Sequence, residues 1–137
     1  MSYFVTGGTG FIGQNLIPLL LKHRGKVYVL VRKQSLEKLE RLKARCGNSG
    51  RRIIPVIGDL TKPYLGIRPA ERKKLAGTID HVFHLAAVYD LSADAAAQEA
   101  ANIKGTRNAI RFAEAVEAKR FHHCSSIAAA GLYPGIF

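Results

Sequence analysis

The feature that most constrains this chain is its residues 3–13, YFVTGGTGFIG. Tyr3, Phe4 and Val5 form an apolar run into Thr6, and Gly7, Gly8, Gly10 and Gly13 follow at once. A strand that meets a helix through so pliable a turn leaves the first N–H groups of the helix facing open space. There they attract an anion, together with the helix dipole. One glycine permits the tight turn, another lets a pyrophosphate reach the backbone without meeting a Cβ, and a third lets the helix lie close to the sheet. Gly8, Gly10 and Gly13 fit the general dinucleotide spacing, and Gly7, Gly10 and Gly13 fit a wider-spaced variant. Phe11 and Ile12 then open the helix. The competing reading of the stretch is a merely structural turn.

The rest of the chain alternates in the same way. Residues 2–6 read as a short buried strand. Apolar positions from Phe11 to about Arg24 read as a helix, which Pro18 should kink or loosen and Gly25 should stop. KVYVLV, 26–31, is a β-branched second strand. Leu36, Leu39 and Leu42 mark a helix over 35–45, with Ser35 as a candidate N-cap, and CGNSG after it reads as a loop. RIIPVIG, 52–58, is a third strand, which Pro55 confines to a sheet edge because it cannot donate to a ladder. A short basic helix over 69–76 leads to a fourth strand, 78–86. An Ala-rich helix runs from Ser92 to about Ala118, interrupted at Gly105-Thr106. A fifth strand, 120–126, precedes a loop over 127–137. Strands alternating with helices mean parallel βαβ units with helices on both faces of a doubly wound α/β sheet.

Bulk properties matter at three points. The length, 137 residues, suits one domain, and 47% apolar residues are ample for a core. No apolar run approaches a membrane span, and no basic segment followed by a long apolar one opens the chain. Cys46 and Cys124 read as free thiols. The expectation is therefore a cytoplasmic protein with no membrane partner. Twenty-one basic against ten acidic residues give a net charge of +11, which favours anionic partners. The basic residues are scattered over several helices and are not interleaved with aromatics, so nucleic acid is not expected. His122-His123-Cys124 resembles a metal cluster, but adjacent strand residues point to opposite faces, so no metal is expected.

TGGTGFIG resembles the cofactor loop of the extended short-chain dehydrogenase/reductase superfamily, T-G-x-x-G-x-x-G. Four further stretches resemble that superfamily in the same order: GDL (58–60), HLAA (84–87), NIKGT (102–106) and SSIAAAG (125–131). HLAAVYDL is closest to the branch of fatty acyl-CoA and thioester reductases. The resemblance covers nearly the whole chain. It implies a Rossmann sheet of order 3-2-1-4-5, truncated before the later strands. Residues 1–137 are then the NAD(P)-binding domain, and the N-terminal fragment, of a longer oxidoreductase.

The cofactor expected is NADP(H) rather than NAD(H). After the second strand, an acid would accept from a ribose 2′-hydroxyl and repel a 2′-phosphate. Here Arg32 and Lys33 stand instead, and a guanidinium matches a phosphate in shape and charge. A solvated charge at a strand end is the alternative. By the resemblance, Asp59 accepts from the adenine amino group and Leu60 packs on the ring. Read alone, Asp59 is equally a turn or cap residue. The small Ala86 and Ala87 admit the nicotinamide ribose and pyrophosphate, although alanines also serve as packing. Asn102 resembles the helix asparagine that orders the active site, or is a surface position.

Hydride reduction of a carbonyl needs a proton donor. The resemblance implies a Ser, matched by Ser126 with Ser125 as the alternative, and a Tyr-x-x-x-Lys pair, which is absent. Neither Tyr64 nor Tyr89 has a Lys four places on, and Tyr133 is followed by only four residues. The fragment is therefore expected to bind cofactor without turning over a small-molecule substrate. It is also expected to self-associate through the uncovered edge of its fifth strand. Two alternatives share the fold: a redox-inactive module that senses NADP(H), and an epimerase or dehydratase.

Overall fold

The computed structural model describes residues 1–87 and 99–126 with Gly131 and Gly135. The expected start of the Ala-rich helix from Ser92, most of the expected loop over 127–137, and Tyr89 and Tyr133 lie outside the described residues. The sheet is built around β1 (Tyr3–Thr6), whose four residues are all buried. It pairs in parallel with β2 (Val27–Val31) on one side and β4 (His81–His84) on the other. β3 (Ile53–Ile57) adds to β2, and β5 (Arg120–His123) adds to β4. The order is β3-β2-β1-β4-β5, as the resemblance implied. Pro55 lies opposite Val29 on the edge strand, where its missing N–H leaves no ladder bond unmade.

Side-chain alternation along β1 feeds two cores. Tyr3 and Val5 pack with Ile17 and Leu20 of α1 (Phe11–Leu20) and Leu39 and Leu42 of α2 (Leu36–Arg45). Phe4 faces the other way, onto Leu75 of α3 (Pro69–Leu75) and Ala109, Phe112 and Ala113 of α4 (Gly105–Ala115). The Phe4 and Phe112 ring centroids are 4.4 Å apart. A strand covered on both faces reads as an unbroken apolar run, as this one does. Helices α1 and α2 cover one face and α3 and α4 the other, so the winding reverses at β1. A crevice opens there at the carboxyl ends of the strands.

Several local expectations are corrected. Helix α1 ends at Leu20 rather than near Arg24, with Pro18 inside it. Gly25 does not stop it: with φ +132, a Cβ there would lie 1.7 Å from the Met1 carbonyl, so Gly25 makes room for the chain entering β1. Ser35 stands at the N-cap position of α2 as expected, but its side chain makes no capping bond, because it closes a 3-10 turn, Lys33–Ser35, that runs directly into α2. The expected loop at CGNSG is largely a 3-10 helix, Gly47–Arg52. The fourth and fifth strands are shorter than their apolar runs. The expected break at Gly105-Thr106 is real: a π-helical segment, Glu99–Lys104, becomes α-helical at Gly105. His122 stacks on Phe83 (4.4 Å) and His123 beside His84 (5.4 Å), on opposite faces of the sheet. Cys46 and Cys124 are free thiols. No helix among the described residues is long and apolar enough to cross a membrane.

Candidate cofactor site

The glycine turn joins β1 to α1 at the crevice. Gly7 has φ +70, and a Cβ on it would lie 2.7 Å from the Ala86 backbone nitrogen. No other residue lets β1 turn while the end of β4 lies so close. Gly8 instead packs inward, against Val29. A Cβ on Gly13 would lie 2.5 Å from the Gly7 carbonyl, so the first turn of α1 rests directly on the loop. Gly10 is different: only the Gly7 carbonyl, at 3.3 Å, would meet its Cβ. Its bare face is turned to open space. The wider-spaced register, Gly7, Gly10 and Gly13, is thus the one with the cradle geometry.

The helix above that cradle is left bare. Gly10 is the N-cap residue and supplies no side-chain bond, and the first turn carries no acid. The first intrahelical bond runs from Gln14 N–H to the Gly10 carbonyl at 2.9 Å, so the amides of Phe11, Ile12 and Gly13 have no acceptor within the helix. Phe11 and Ile12 are exposed. Three donors at the positive end of a ten-residue helix suit a pyrophosphate.

Beside the turn lies a cleft of about 220 Å³, lined by Gly7, Arg32, Asp59, Leu60, Ala86 and Ala87 among others. Residues expected from four separate stretches therefore meet in one place. Ala101 also lines the cleft, next to Asn102 on the π-helical segment. Lys33 lies in an adjoining recess that shares Arg32 and Asp59 with the cleft. Ser126 is exposed, three residues beyond β5, and is not part of the cleft wall. Asp59 has a visible local role: its Oδ1 accepts the Thr61 amide at 2.9 Å and the Thr61 hydroxyl at 2.8 Å. These bonds, the amide first, hold its carboxyl below the usual carboxylate range.

Four polar residues were not foreseen. Thr6 and His84 are buried at the ends of β1 and β4, and one chain of hydrogen bonds ties them to the helix. Thr106 Oγ1 donates to the Asn102 carbonyl (2.7 Å), so it accepts from His84 Nε2–H (3.1 Å). His84 Nδ1 is then bare, and Thr6 Oγ1 donates to it at 2.7 Å while accepting the Ala86 amide at 3.3 Å. Each partner fits a neutral imidazole. Burial first, and His123 second, push the His84 pKa down to about 4. Asn108, also buried, donates from Nδ2 to the Leu60 carbonyl at 3.0 Å. HLAA and NIKGT were legible as separate motifs, and nothing in the sequence signals the bonds that join His84 to Thr6 and Thr106.

Residues 5–135 match the NAD-binding family described as male sterility protein. The chain belongs to that family. It is 37% identical over 132 residues to a linear gramicidin synthase polypeptide from Brevibacillus parabrevis, covering 90% of this chain and 3% of the synthase polypeptide. It is 30% identical over 131 residues to a putative fatty acyl-CoA reductase of Drosophila melanogaster, covering 83% of this chain and 25% of that protein. Among solved structures it resembles the terminal R domain of the myxalamid biosynthetic pathway, with TM-score 0.80, 30% identity, and 93% and 35% of the two chains covered. The chain thus spans a quarter or less of the length of these two curated relatives. It is an NAD(P)-binding domain of a reductase family.

Proposed function

We propose that this chain, residues 1–137, is the cofactor domain of an NADP(H)-dependent reductase that acts on a carbonyl or acyl thioester. The observation that carries the cofactor preference is the end of β2: Arg32 opens onto the nucleotide cleft, Lys33 lies in the adjoining recess, and no acid stands at the position that would bind a ribose 2′-hydroxyl. Gly7, Gly10 and Gly13 with the amides of Phe11 and Ile12 hold the pyrophosphate. Leu60 packs on the adenine, and Asp59 accepts from its amino group while keeping its bonds to Thr61. Ala86 and Ala87 admit the nicotinamide ribose, and Asn102 orders the segment beside it. When bound, the nicotinamide supplies the hydride.

Ser126, beyond the end of β5, donates to the substrate oxygen. A tyrosine with a lysine four places on is not found within these residues, so the proton donor comes from elsewhere in the protein. The thioester reading draws support from the fatty acyl-CoA reductase relative, whose named substrate is a thioester. The experiment is calorimetric titration of the full-length protein with NADPH and NADH, followed by turnover of an acyl thioester with the tighter cofactor. NADPH should bind at least about tenfold tighter, the worth of one charge-assisted hydrogen bond. Tighter NADH binding would refute the cofactor assignment. Turnover that survives Ser126→Ala undiminished would refute the role of Ser126.

A further inference from the structure

Many of the cations behind the +11 net charge have structural work. Arg52 donates to the carbonyls of Leu21, His23 and Gly25, clamping the end of α1. Arg72 lies 4.2 Å over the Tyr64 ring and donates to the Ile67 carbonyl at 2.8 Å. Arg41, Lys43, Arg68 and Lys119 pair with carboxylates. Among the described residues, the side chains of Arg32, Lys33 and Lys62 make no such bond or pair. All three line one recess of about 340 Å³ that adjoins the nucleotide cleft.

Lys62 is not placed there by chance of surface exposure. Its amide donates to the Asp59 carbonyl (3.1 Å), its carbonyl accepts the Leu65 amide (3.0 Å), and the Leu65 carbonyl accepts the Asp59 amide (2.7 Å). This closed ring of backbone bonds requires a left-handed turn, with Tyr64 at φ 51, Leu65 at φ 62 and Gly66 at φ 65. Two non-glycine residues in that region are strained, and such strain persists only where the surroundings over-determine it. They do so here. Leu65 is fully buried, Arg72 covers Tyr64, and a Cβ on Gly58 would lie 2.3 Å from the Leu65 carbonyl. The stem of Lys62 passes over Gly66, its Cδ 3.4 Å from where a Cβ there would be. The head of GDL and the position of Lys62 are thus one rigid unit.

We infer that Lys62 is a third cation of the 2′-phosphate subsite, set in place by the strained turn at residues 64–66, and that it helps select NADP(H). This rests on the reading of Arg32 and Lys33 given above. Those two come from the connection after β2 and Lys62 from the connection after β3, so the phosphate is held from two elements. A phosphate monoester has oxygens enough for several charge-assisted donors, and a lysine adds a point charge beside a guanidinium fork. Asp59 sits in the same recess, and its lowered pKa reflects Lys62 and Arg32 as its lesser causes. Among the described residues that line the recess, Asp59 is the one carboxylate beside the three cations.

The test titrates NADPH and NADH into the full-length protein and its Lys62→Gln, Lys62→Arg and Arg32→Ala variants. Lys62→Gln should weaken NADPH by about tenfold and leave NADH within about threefold, with Lys62→Arg close to the parent. Lys62 is exposed, so melting temperatures should not move. An unchanged NADPH-to-NADH ratio in Lys62→Gln, with the ratio collapsing in Arg32→Ala, overturns this inference and leaves the Arg32 reading standing. A parent without preference for NADPH, and an Arg32→Ala variant like it, overturns both.

Discussion

Two strand-to-helix connections lie side by side at the same edge of the sheet and do their work differently. The turn between β1 and α1 uses backbone: glycines packed against other backbone, bare amides, no charged side chain. The turn between β2 and α2 uses side chains: Arg32, Lys33 and Gln34 are exposed on a 3-10 turn, and α2 begins with Glu37 in its first turn, so its dipole is already answered. A backbone site reads what every dinucleotide shares, the pyrophosphate. A side-chain site reads what differs, the group on the adenosine ribose. Damage to the first turn should therefore abolish binding of both cofactors, and changes in the second should only redistribute it.

The largest effect is expected from Gly13→Ala. Its Cβ would lie 2.5 Å from both the Gly7 carbonyl and Gly8 Cα, and backbone on both sides cannot give way without moving the loop. The overpacking should cost roughly 1–3 kcal/mol of stability. Losing two charge-assisted amide bonds at roughly 1.5–3 kcal/mol each should weaken NADPH and NADH alike by about a hundredfold or more. Equal binding to the parent by calorimetry would show that the amides of α1 are not the pyrophosphate site.

Next comes the support beneath the first turn. His84 has a folded pKa near 4 against an ordinary 6.5, so the unfolded chain binds more protons between those values. Stability is then full above about pH 6.5 and falls as the pH drops towards 4, by up to about 3 kcal/mol. Below 4 this contribution is gone. His81, also pushed down by burial, adds to the same window, whereas Asp80, held near 2 chiefly by Lys119, acts only at lower pH. Urea unfolding at pH 7, 5.5 and 4.5 measures the slope, and His84→Gln should flatten most of it. A slope that survives this substitution would place the titrating group elsewhere.

The same contrast explains what could be read from the amino-acid sequence. The alternation of strands and helices, the glycine cradle and the edge position of Pro55 follow from short-range rules: period, turn chemistry, a missing donor; the strand order came from the family resemblance. In the cleft wall, Gly7 and Arg32 were legible from turn chemistry and charge, and Asp59, Leu60, Ala86 and Ala87 from the resemblance; all six follow the ends of strands, and a parallel sheet brings its carboxyl ends together. Thr6, His84, Thr106 and Asn108 were not legible as a set. Their partners lie up to 80 residues away, and a buried hydrogen bond leaves no periodic trace. Ser35 does stand at the N-cap position of α2, but composition alone cannot tell that it also closes a 3-10 turn and makes no side-chain capping bond. Gly25 was misread because the chain that crowds it, Met1, is distant in sequence.

Arg32→Glu sharpens the comparison from the second turn. An acid there should repel a 2′-phosphate and accept from a 2′-hydroxyl, so NADPH should weaken by about ten- to a hundredfold while NADH holds or improves. Parallel losses of both cofactors would mean that Arg32 supports the fold of the turn rather than reading the ribose.

The smallest effect should come from Glu37→Gln, which removes the acid from the first turn of α2. Glu37 pairs with Arg41 one turn on, and both side chains are about three-quarters exposed, at 77% and 74%. An exposed pair at this spacing is worth about 0.3–0.5 kcal/mol, and the dipole interaction adds a similar amount at low salt. The loss should therefore stay below about 1 kcal/mol by urea unfolding and fade as salt rises. The effect on NADPH should be opposite in sign and small, because removing a negative charge four to five residues from Arg32 and Lys33 leaves their field on a phosphate less opposed. A variant that loses stability yet gains slightly in NADPH, with NADH unmoved, is what a side-chain site beside a neutralised helix end must give. The same substitution could not act in this way at α1, where no acid stands in the first turn to be removed.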